Sequence, residues 1–266
     1  MVDKSVPEGH EDVETAPAFT RTSALTGTPY KIFIRLPKNY DKDVESKYPV
    51  IYHLDANAYF DPIGFSVVKL SKRKKISVEP TVVGVGYANA YIMDSLRNRD
   101  YTYPSANPID SFPISGGGKH FYQFIKTELS PLIDSMYRTD VTDRTLMGHS
   151  LGGYFVLYAL LRDSVENPLF HNYVAASPSL WWGDNYILDA FLQPGFRYTS
   201  MNTSKVYLTA GQFELRENSI DEFTKLTTIL ERDSLMQIKY RVYKQLEHMG
   251  TAVPSFEDGI EFVLKE

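Results

Sequence analysis

One serine in this sequence has the surroundings of a catalytic nucleophile. Ser150 is the centre of Gly148-His-Ser-Leu-Gly152, a G-x-S-x-G pentapeptide. Residues 145–147 are typical of the end of a short buried strand, and residues 153–162 are typical of a helix. A serine on a tight turn between a strand and a helix projects from the backbone, and the N–H groups at the helix N-terminus can stabilise an oxyanion. The pattern therefore predicts nucleophilic attack on a carbonyl carbon.

A serine hydroxyl is a poor nucleophile at neutral pH and needs a general base, which is usually histidine. In this architecture the base follows the nucleophile in the chain, which leaves His171 and His248 as candidates. His248 lies in the loop after the last predicted strand, at the sheet edge where α/β proteins build their sites. His171 precedes a strand and is expected at the opposite edge. We therefore predict that His248 is the base.

The acid that orients the histidine is expected in the loop after the preceding strand, which we predict over residues 205–210. Glu214 and Glu217 both lie in that loop, and Asp221 lies further on, in the following helix. The role of the acid is to fix the histidine tautomer and to stabilise the imidazolium. We favour Glu214 over Glu217, and we leave open an acid elsewhere, such as Asp221, and a Ser–His dyad without an acid.

The elements that must position these residues alternate along the chain. Strands are predicted over residues 30–37, 48–55, 81–87, 145–147, 173–177, 205–210 and 238–243. Helices are predicted over residues 61–70, 121–137 (with Pro131 as a kink), 153–162, 185–192, 220–232 and 253–266. Residues 1–18 are predicted to be a flexible arm, and residues 88–119 an irregular loop. The alternation predicts one α/β domain over residues 19–266, with a mostly parallel central sheet and helices on both faces.

Composition narrows the range of functions. The net charge of −5 argues against general nucleic-acid binding, and the absence of cysteine excludes disulfides and thiolate catalysis. No metal-binding motif is present, and we expect neither a metal nor another cofactor. No apolar run is long enough to span a membrane. The N-terminus has no apolar stretch typical of a signal peptide, which is compatible with a cytoplasmic protein or with an exported mature chain.

Further motifs extend the pattern beyond the pentapeptide. They lie at residues 48–60, 97–104, 116–118, 148–153, 177–182, 211–214 and 247–248. Together they resemble the putative-esterase branch of the α/β-hydrolases, a group with esterase D, feruloyl esterases, mycolyltransferases and siderophore esterases among its members. The siderophore-esterase-like hydrolases are the most similar. The resemblance covers approximately residues 20–265.

The resemblance implies an α/β-hydrolase fold and a serine carboxylesterase that works through an acyl-enzyme. It implies the roles of nucleophile, base and acid for Ser150, His248 and Glu214. It adds an oxyanion hole formed by the backbone N–H groups of Leu151 and Asn57. The turn before Asn57 has an alanine where the family usually has glycine, and the additional methyl group is expected to narrow that side of the hole.

Aromatic and basic side chains favour a bulky substrate. Trp181 and Trp182 either form the wall of an aromatic acyl pocket or fill the core. Arg99, like Arg97, either clamps a substrate oxygen or ties its loop to neighbours such as Asp100. We predict a small-molecule ester of siderophore-like or bulky aromatic type. The alternatives are a thioesterase or acyltransferase with the same residues, and a non-catalytic relative that binds partners. The sequence leaves the oligomeric state open.

Overall fold

The computed structural model describes residues 16–42, 45–106, 112–163, 168–193, 204–214 and 218–265. Eight strands in this part of the chain form one sheet. They are β1 (Phe19–Thr22), β2 (Pro29–Arg35), β3 (Tyr48–His53), β4 (Thr81–Gly86), β5 (Thr139–His149), β6 (Asn172–Ala176), β7 (Ser204–Gly211) and β8 (Met236–Tyr243). The spatial order is β1-β2-β4-β3-β5-β6-β7-β8. The strands from β3 to β8 pair in parallel, and β1 and β2 add antiparallel pairing at one edge.

Helices cover both faces of this sheet. They are α1 (Ala56–Lys72), α2 (Ala90–Asp100), α3 (Gly118–Phe124), α4 (Ser130–Met136), α5 (Leu151–Asp163), α6 (Trp182–Leu192), α7 (Asn218–Leu230) and α8 (Ala252–Leu264). Apolar residues of α1 and α8 pack on one face, and those of α3, α5, α6 and α7 pack on the other. The central strands are buried on both faces, which explains why they appear in the sequence as continuous apolar runs. The single-domain α/β fold predicted from the sequence is confirmed.

The prediction of an irregular loop over residues 88–119 is wrong for residues 90–100, which form helix α2. This helix begins at Asn89, whose side chain accepts a hydrogen bond from the N–H of Ile92 at 2.9 Å. Its inward-facing side carries Arg97 and Asp100, which are paired with other buried groups. Because charged Arg97 and Asp100 share the inner face with Met93 and Leu96, the helix has only a weak apolar periodicity, which is the signal on which the sequence argument depends.

The helix predicted over residues 121–137 is present with an interruption. A π-helical turn over Ile125–Leu129 separates α3 from α4, immediately before Pro131, whose ring removes a backbone donor. Strand β1 was not predicted from the sequence. Residues 1–15 of the predicted arm lie outside the described part of the chain. Within the described part, none of the helices has both the length and the apolar character needed to cross a membrane.

Because the strands from β3 to β8 run in the same direction, their carboxyl ends meet at one edge of the sheet. The turns that follow β3, β5, β6, β7 and β8 therefore lie beside one another. These turns contain every residue that the sequence predicts to act in bond cleavage.

Candidate active site

Ser150 forms the turn between β5 and α5. Its backbone has φ of 61°, in the left-handed region that side-chain-bearing residues rarely adopt. Its N–H donates to the carbonyl of Ala176 on β6 at 3.0 Å, which anchors the turn to the sheet. A Cβ atom at position 148 would lie 2.5 Å from the carbonyl carbon of Gly152, so only glycine fits there. The serine is therefore held in the geometry of a nucleophile elbow.

Glu214 lies in the turn after β7 and contacts His248. Its Oε2 atom accepts a hydrogen bond from Nδ1 of His248. Its Oε1 atom accepts from the hydroxyl of Ser177 at 2.6 Å and from the N–H of Gly211. Burial alone would raise the pKa of Glu214, but the hydrogen bonds from His248, Ser177 and Gly211 outweigh it and lower the pKa. Glu214 is thus a fixed carboxylate that holds the proton of His248 on Nδ1 and leaves Nε2 free to accept another.

The backbone of His248 is held by side chains that the sequence argument did not identify. Nε2 of His149 lies 2.9 Å from the carbonyl oxygen of His248, and the hydroxyl of Thr251 donates to the same oxygen at 2.7 Å. A carbonyl oxygen can only accept, so Nε2 of His149 carries a proton. Burial, and next the charge of His248, lower the pKa of His149 to about 4, so this imidazole stays neutral near pH 7. His149, the last residue of β5, therefore joins the strand that precedes Ser150 to the segment that carries His248.

A cavity of about 330 Å³ opens beside Ser150. It is lined by Ser150, Ser177, Pro178, Ser179, Leu180, Trp181, Ala210, Glu214, Glu222, Phe223 and His248. The Oγ atom of Ser150 lies 3.4 Å from that of Ser179. This is the one side-chain hydrogen bond that Ser150 makes with the described residues, so its hydroxyl is not bonded to His248 here. Catalytic hydrogen bonds are often absent before substrate binds, and rotation about the Cα–Cβ bond of the serine would redirect the hydroxyl.

The turn that follows β3 carries the predicted second half of the oxyanion hole. Asn57 lies in the first turn of α1, where backbone N–H groups have no acceptor within the helix, and Leu151 has the same place in α5. The side chain of Asn57 accepts from the N–H of Tyr87 at 2.7 Å and donates to its carbonyl at 2.9 Å. The two backbone N–H groups that the resemblance implies for the oxyanion hole therefore lie at helix N-termini, at the sheet edge formed by the carboxyl ends of the parallel strands.

An ion pair fixes the same turn from the other side. Asp55 is buried, with φ of 53°, and accepts two hydrogen bonds from Arg97, at 3.0 and 2.8 Å. The aromatic ring of Tyr101 lies 5.4 Å from the guanidinium of Arg97. Arg97 therefore holds the turn in place and is not free to clamp a substrate oxygen.

The three residues predicted to bind substrate have different locations. Trp181 lines the cavity with 54% of its surface exposed. Trp182 is buried, and its Nε1 donates to the carbonyl of Pro104 at 2.9 Å, so it fills the core beneath the loop. Arg99 is bound to Asp100 and Thr28 at 2.7 Å each and does not line the cavity. Only Trp181 is placed where it can touch a substrate beside Ser150.

Ser177, which donates to Glu214, also has positive φ, of 41°, so the turns at this edge contain four left-handed non-glycine residues, at positions 55, 150, 177 and 245. In the described ranges, no group of three or more histidine, aspartate or glutamate side chains is arranged to hold a metal ion.

Comparison with known proteins gives consistent matches. The family model described as "Putative esterase" matches residues 23–254. The ferri-bacillibactin esterase BesA of Bacillus subtilis (strain 168) is 34% identical over 223 residues, which are 76% of this chain and 74% of BesA. The crystal structure of the BES protein from Bacillus cereus superposes with a TM-score of 0.81 at 27% identity, over 93% of this chain and 95% of that one. The enterobactin hydrolase IroE in complex with DFP superposes with a TM-score of 0.74 at 26% identity, over 93% and 94% of the two chains.

Proposed function

We propose that this chain, which belongs to the putative-esterase family and is a carboxylic ester hydrolase, cleaves its substrate through Ser150, His248 and Glu214 by way of an acyl-enzyme. The observation that carries the proposal is that these three side chains line one cavity, with Glu214 bonded to Nδ1 of His248. The left-handed turn at Ser150 and the helix N-terminus behind it add to this support.

The proposed reaction begins when Oγ of Ser150 attacks the ester carbonyl and Nε2 of His248 takes the hydroxyl proton. The backbone N–H groups of Leu151 and Asn57 donate to the oxygen that becomes negative in the tetrahedral intermediate. Collapse of the intermediate breaks the ester C–O bond, and His248 returns the proton to the leaving alcohol. Water then attacks the acyl-enzyme with the same base and releases the acid. Throughout, Glu214 holds Nδ1–H and stabilises the imidazolium.

We further propose that the substrate is a bulky ester of siderophore-like or aromatic type. The names of the relatives support this class, because BesA is a ferri-bacillibactin esterase and IroE an enterobactin hydrolase. The cavity supports it as well, since about 330 Å³ is at the low end for small-molecule sites and would hold one arm of a large ester. The remainder would lie on the exposed apolar side chains of Trp181, Phe213 and Met249, which adjoin the candidate triad in space or sequence.

Labelling with a fluorophosphonate probe, followed by intact-mass measurement, tests the mechanism. We expect one adduct on the parent protein and none on Ser150→Ala, with hydrolysis of p-nitrophenyl butyrate lost by roughly 10⁴-fold or more. Ser179→Ala is the matched control, because it removes the neighbouring hydroxyl of the same cavity and should still be labelled. His171→Ala is the corresponding control for His248→Ala. Labelling of Ser150→Ala, or activity of that variant within tenfold of the parent, would contradict the proposal.

A further inference from the structure

The cavity beside Ser150 contains a second carboxylate that the mechanism does not use. Glu222 lies on α7, is half-buried and lines the cavity next to Phe223. Glu214, the other acid in the cavity wall, is bonded to His248, Ser177 and Gly211. Glu222, by contrast, has no hydrogen-bond or ion-pair partner in the part of the chain that the structure describes.

The rest of the wall does not compensate the charge of Glu222. The described side chains around it are serines, apolar residues and the His248–Glu214 pair, and no lysine or arginine is among them. A cleft whose walls carry one sign of charge and exclude water focuses the field, which attracts ions of the opposite sign and repels ions of the same sign.

The position of Glu222 relative to Ser150 determines which part of a substrate interacts with the charge of Glu222. Both residues line the same cavity, so the part of a substrate that fills this cavity beside the ester group lies in a space whose wall includes Glu222. The neighbouring acid on α7, Asp221, is exposed and is absent from the cavity wall. One turn of helix thus offers two acids of equal charge, one inside the cavity and one outside.

We propose that Glu222 selects esters by charge: the cavity accepts a substrate arm that ends in a cation or an uncharged hydrogen-bond donor, and it rejects an arm that ends in an anion. The inference rests on the proposed function of Ser150. It implies that anionic groups of a larger substrate stay outside the cavity, and that an ammonium group on the arm inside it is a recognition element. This charge preference is opposite to that of a site that binds a free carboxylate or phosphate.

Three p-nitrophenyl esters of equal chain length test the proposal. One is the ester of hexanoic acid, one carries a terminal trimethylammonium group on the same chain, and one carries a terminal carboxylate (the monoester of adipic acid). The kcat/KM of each is measured for the parent protein, for Glu222→Gln and for the control Asp221→Asn, which removes the same charge from the same helix. Ser150→Ala is included for every ester.

For the parent we expect kcat/KM to fall in the order cationic, neutral, anionic. In Glu222→Gln the ratio of cationic to anionic kcat/KM should fall by about tenfold, and 0.5 M salt should reduce the ratio in the parent in the same direction. In Asp221→Asn the ratio should remain within about twofold of the parent, because an exposed charge outside the cavity is screened by solvent.

The outcomes separate failure of this inference from failure of the proposed function. An equal ratio in the parent and in Glu222→Gln would overturn the inference, provided that the neutral ester is cleaved in a Ser150-dependent manner. An equal drop in both acid-to-amide variants would assign the selectivity to the overall field of the protein and not to Glu222. Hydrolysis of the neutral ester by Ser150→Ala would instead refute the proposed function.

Discussion

Glu214→Gln is expected to inactivate the protein by reversing the tautomer of His248. The carboxylate of Glu214 accepts three hydrogen bonds, from Ser177, from Gly211 and from Nδ1 of His248. Glutamine has the same shape but one acceptor oxygen and one NH₂ donor. If the amide oxygen faces Ser177 and Gly211, as their two donors require, the NH₂ group faces Nδ1 of His248. The imidazole must then accept at Nδ1 and carry its proton on Nε2, where it cannot take the proton of Ser150.

The size of the effect follows from how firmly the tautomer is held. An acid-to-amide change that leaves triad geometry intact lowers kcat by about 10⁴ in a buried Ser-His-Asp site. Here the side chain of His248 is 39% exposed, so water competes for its nitrogens and part of the population keeps the productive tautomer. We therefore expect a loss in kcat of roughly 10² to 10⁴, smaller than the loss in Ser150→Ala.

Steady-state hydrolysis of p-nitrophenyl butyrate at pH 7.5 measures the loss, and urea unfolding verifies that the variant is folded. Asp221→Asn is the matched control, since it makes the same chemical change in an exposed side chain of α7 and should keep parental kcat. Glu217→Gln should also have little effect. If Glu214→Gln retains kcat within tenfold of the parent, the reasoning from the tautomer is refuted, and either a dyad or another acid must serve His248.

Other consequences of the structure can be tested in the same way. Arg97→Met leaves buried Asp55 without its partner, so we expect the free energy of unfolding in urea to fall by about 3–5 kcal/mol, and Arg97→Lys to lose less; equal stability of the parent and Arg97→Met would contradict this. Burial lowers the pKa of His53 to about 4, below its unfolded value of about 6.5, so the folded protein binds fewer protons than the unfolded chain and loses stability as pH falls. Between pH 7 and pH 5, the free energy of unfolding in urea should therefore fall by about 2 kcal/mol more in the parent than in His53→Gln. Trp182→Ala should destabilise the protein by about 3–5 kcal/mol, whereas Trp181→Ala should leave the melting temperature unchanged and raise KM for bulky esters; the reverse pattern in calorimetry and kinetics would show that the two tryptophans have been assigned the wrong roles.

The order of strands β2 to β8, and of the helices other than α2, could be predicted because the central strands are buried on both faces and appear as uninterrupted apolar runs. Chain order and strand ends then suffice to bring Ser150, Glu214 and His248 to one edge of a parallel sheet. The preference for Glu214 over Glu217 agreed with the family resemblance, in which the acid follows a glycine at the strand end by three residues, and the structure places Glu214 on Nδ1 of His248. Glu217 lies outside the described residues.

The locations of the arginines could not be predicted, because they depend on the phase of a helix that the sequence does not reveal. Arg97 and Arg99 lie on α2 two residues apart, and helical geometry turns such side chains to nearly opposite directions. One pairs with Asp55 beside the site, and the other with Asp100 away from it. In a loop, which is what the sequence predicted there, the two residues are equivalent.

The contacts of His149 and Thr251 with the carbonyl of His248 lie beyond sequence reasoning for a different reason. His149 and His248 are 99 residues apart, and no local pattern marks a side chain that donates to a distant carbonyl. Glu222 likewise lines the cavity together with residues of the turn after β6, from which it is far apart in the chain. Such residues are found only once the helices have been placed on the sheet.

The left-handed backbone at positions 55, 150 and 177 puts selection for stability and selection for catalysis in opposition. A side chain in that conformation costs about 1–2 kcal/mol that glycine does not incur. A library screened only for heat resistance should therefore enrich glycine at Ser150, and the most thermostable clones would have lost the serine that we propose as the nucleophile. Stabilising substitutions are better sought at positions away from the candidate active site, with Asp55, Ser150 and Ser177 left unchanged.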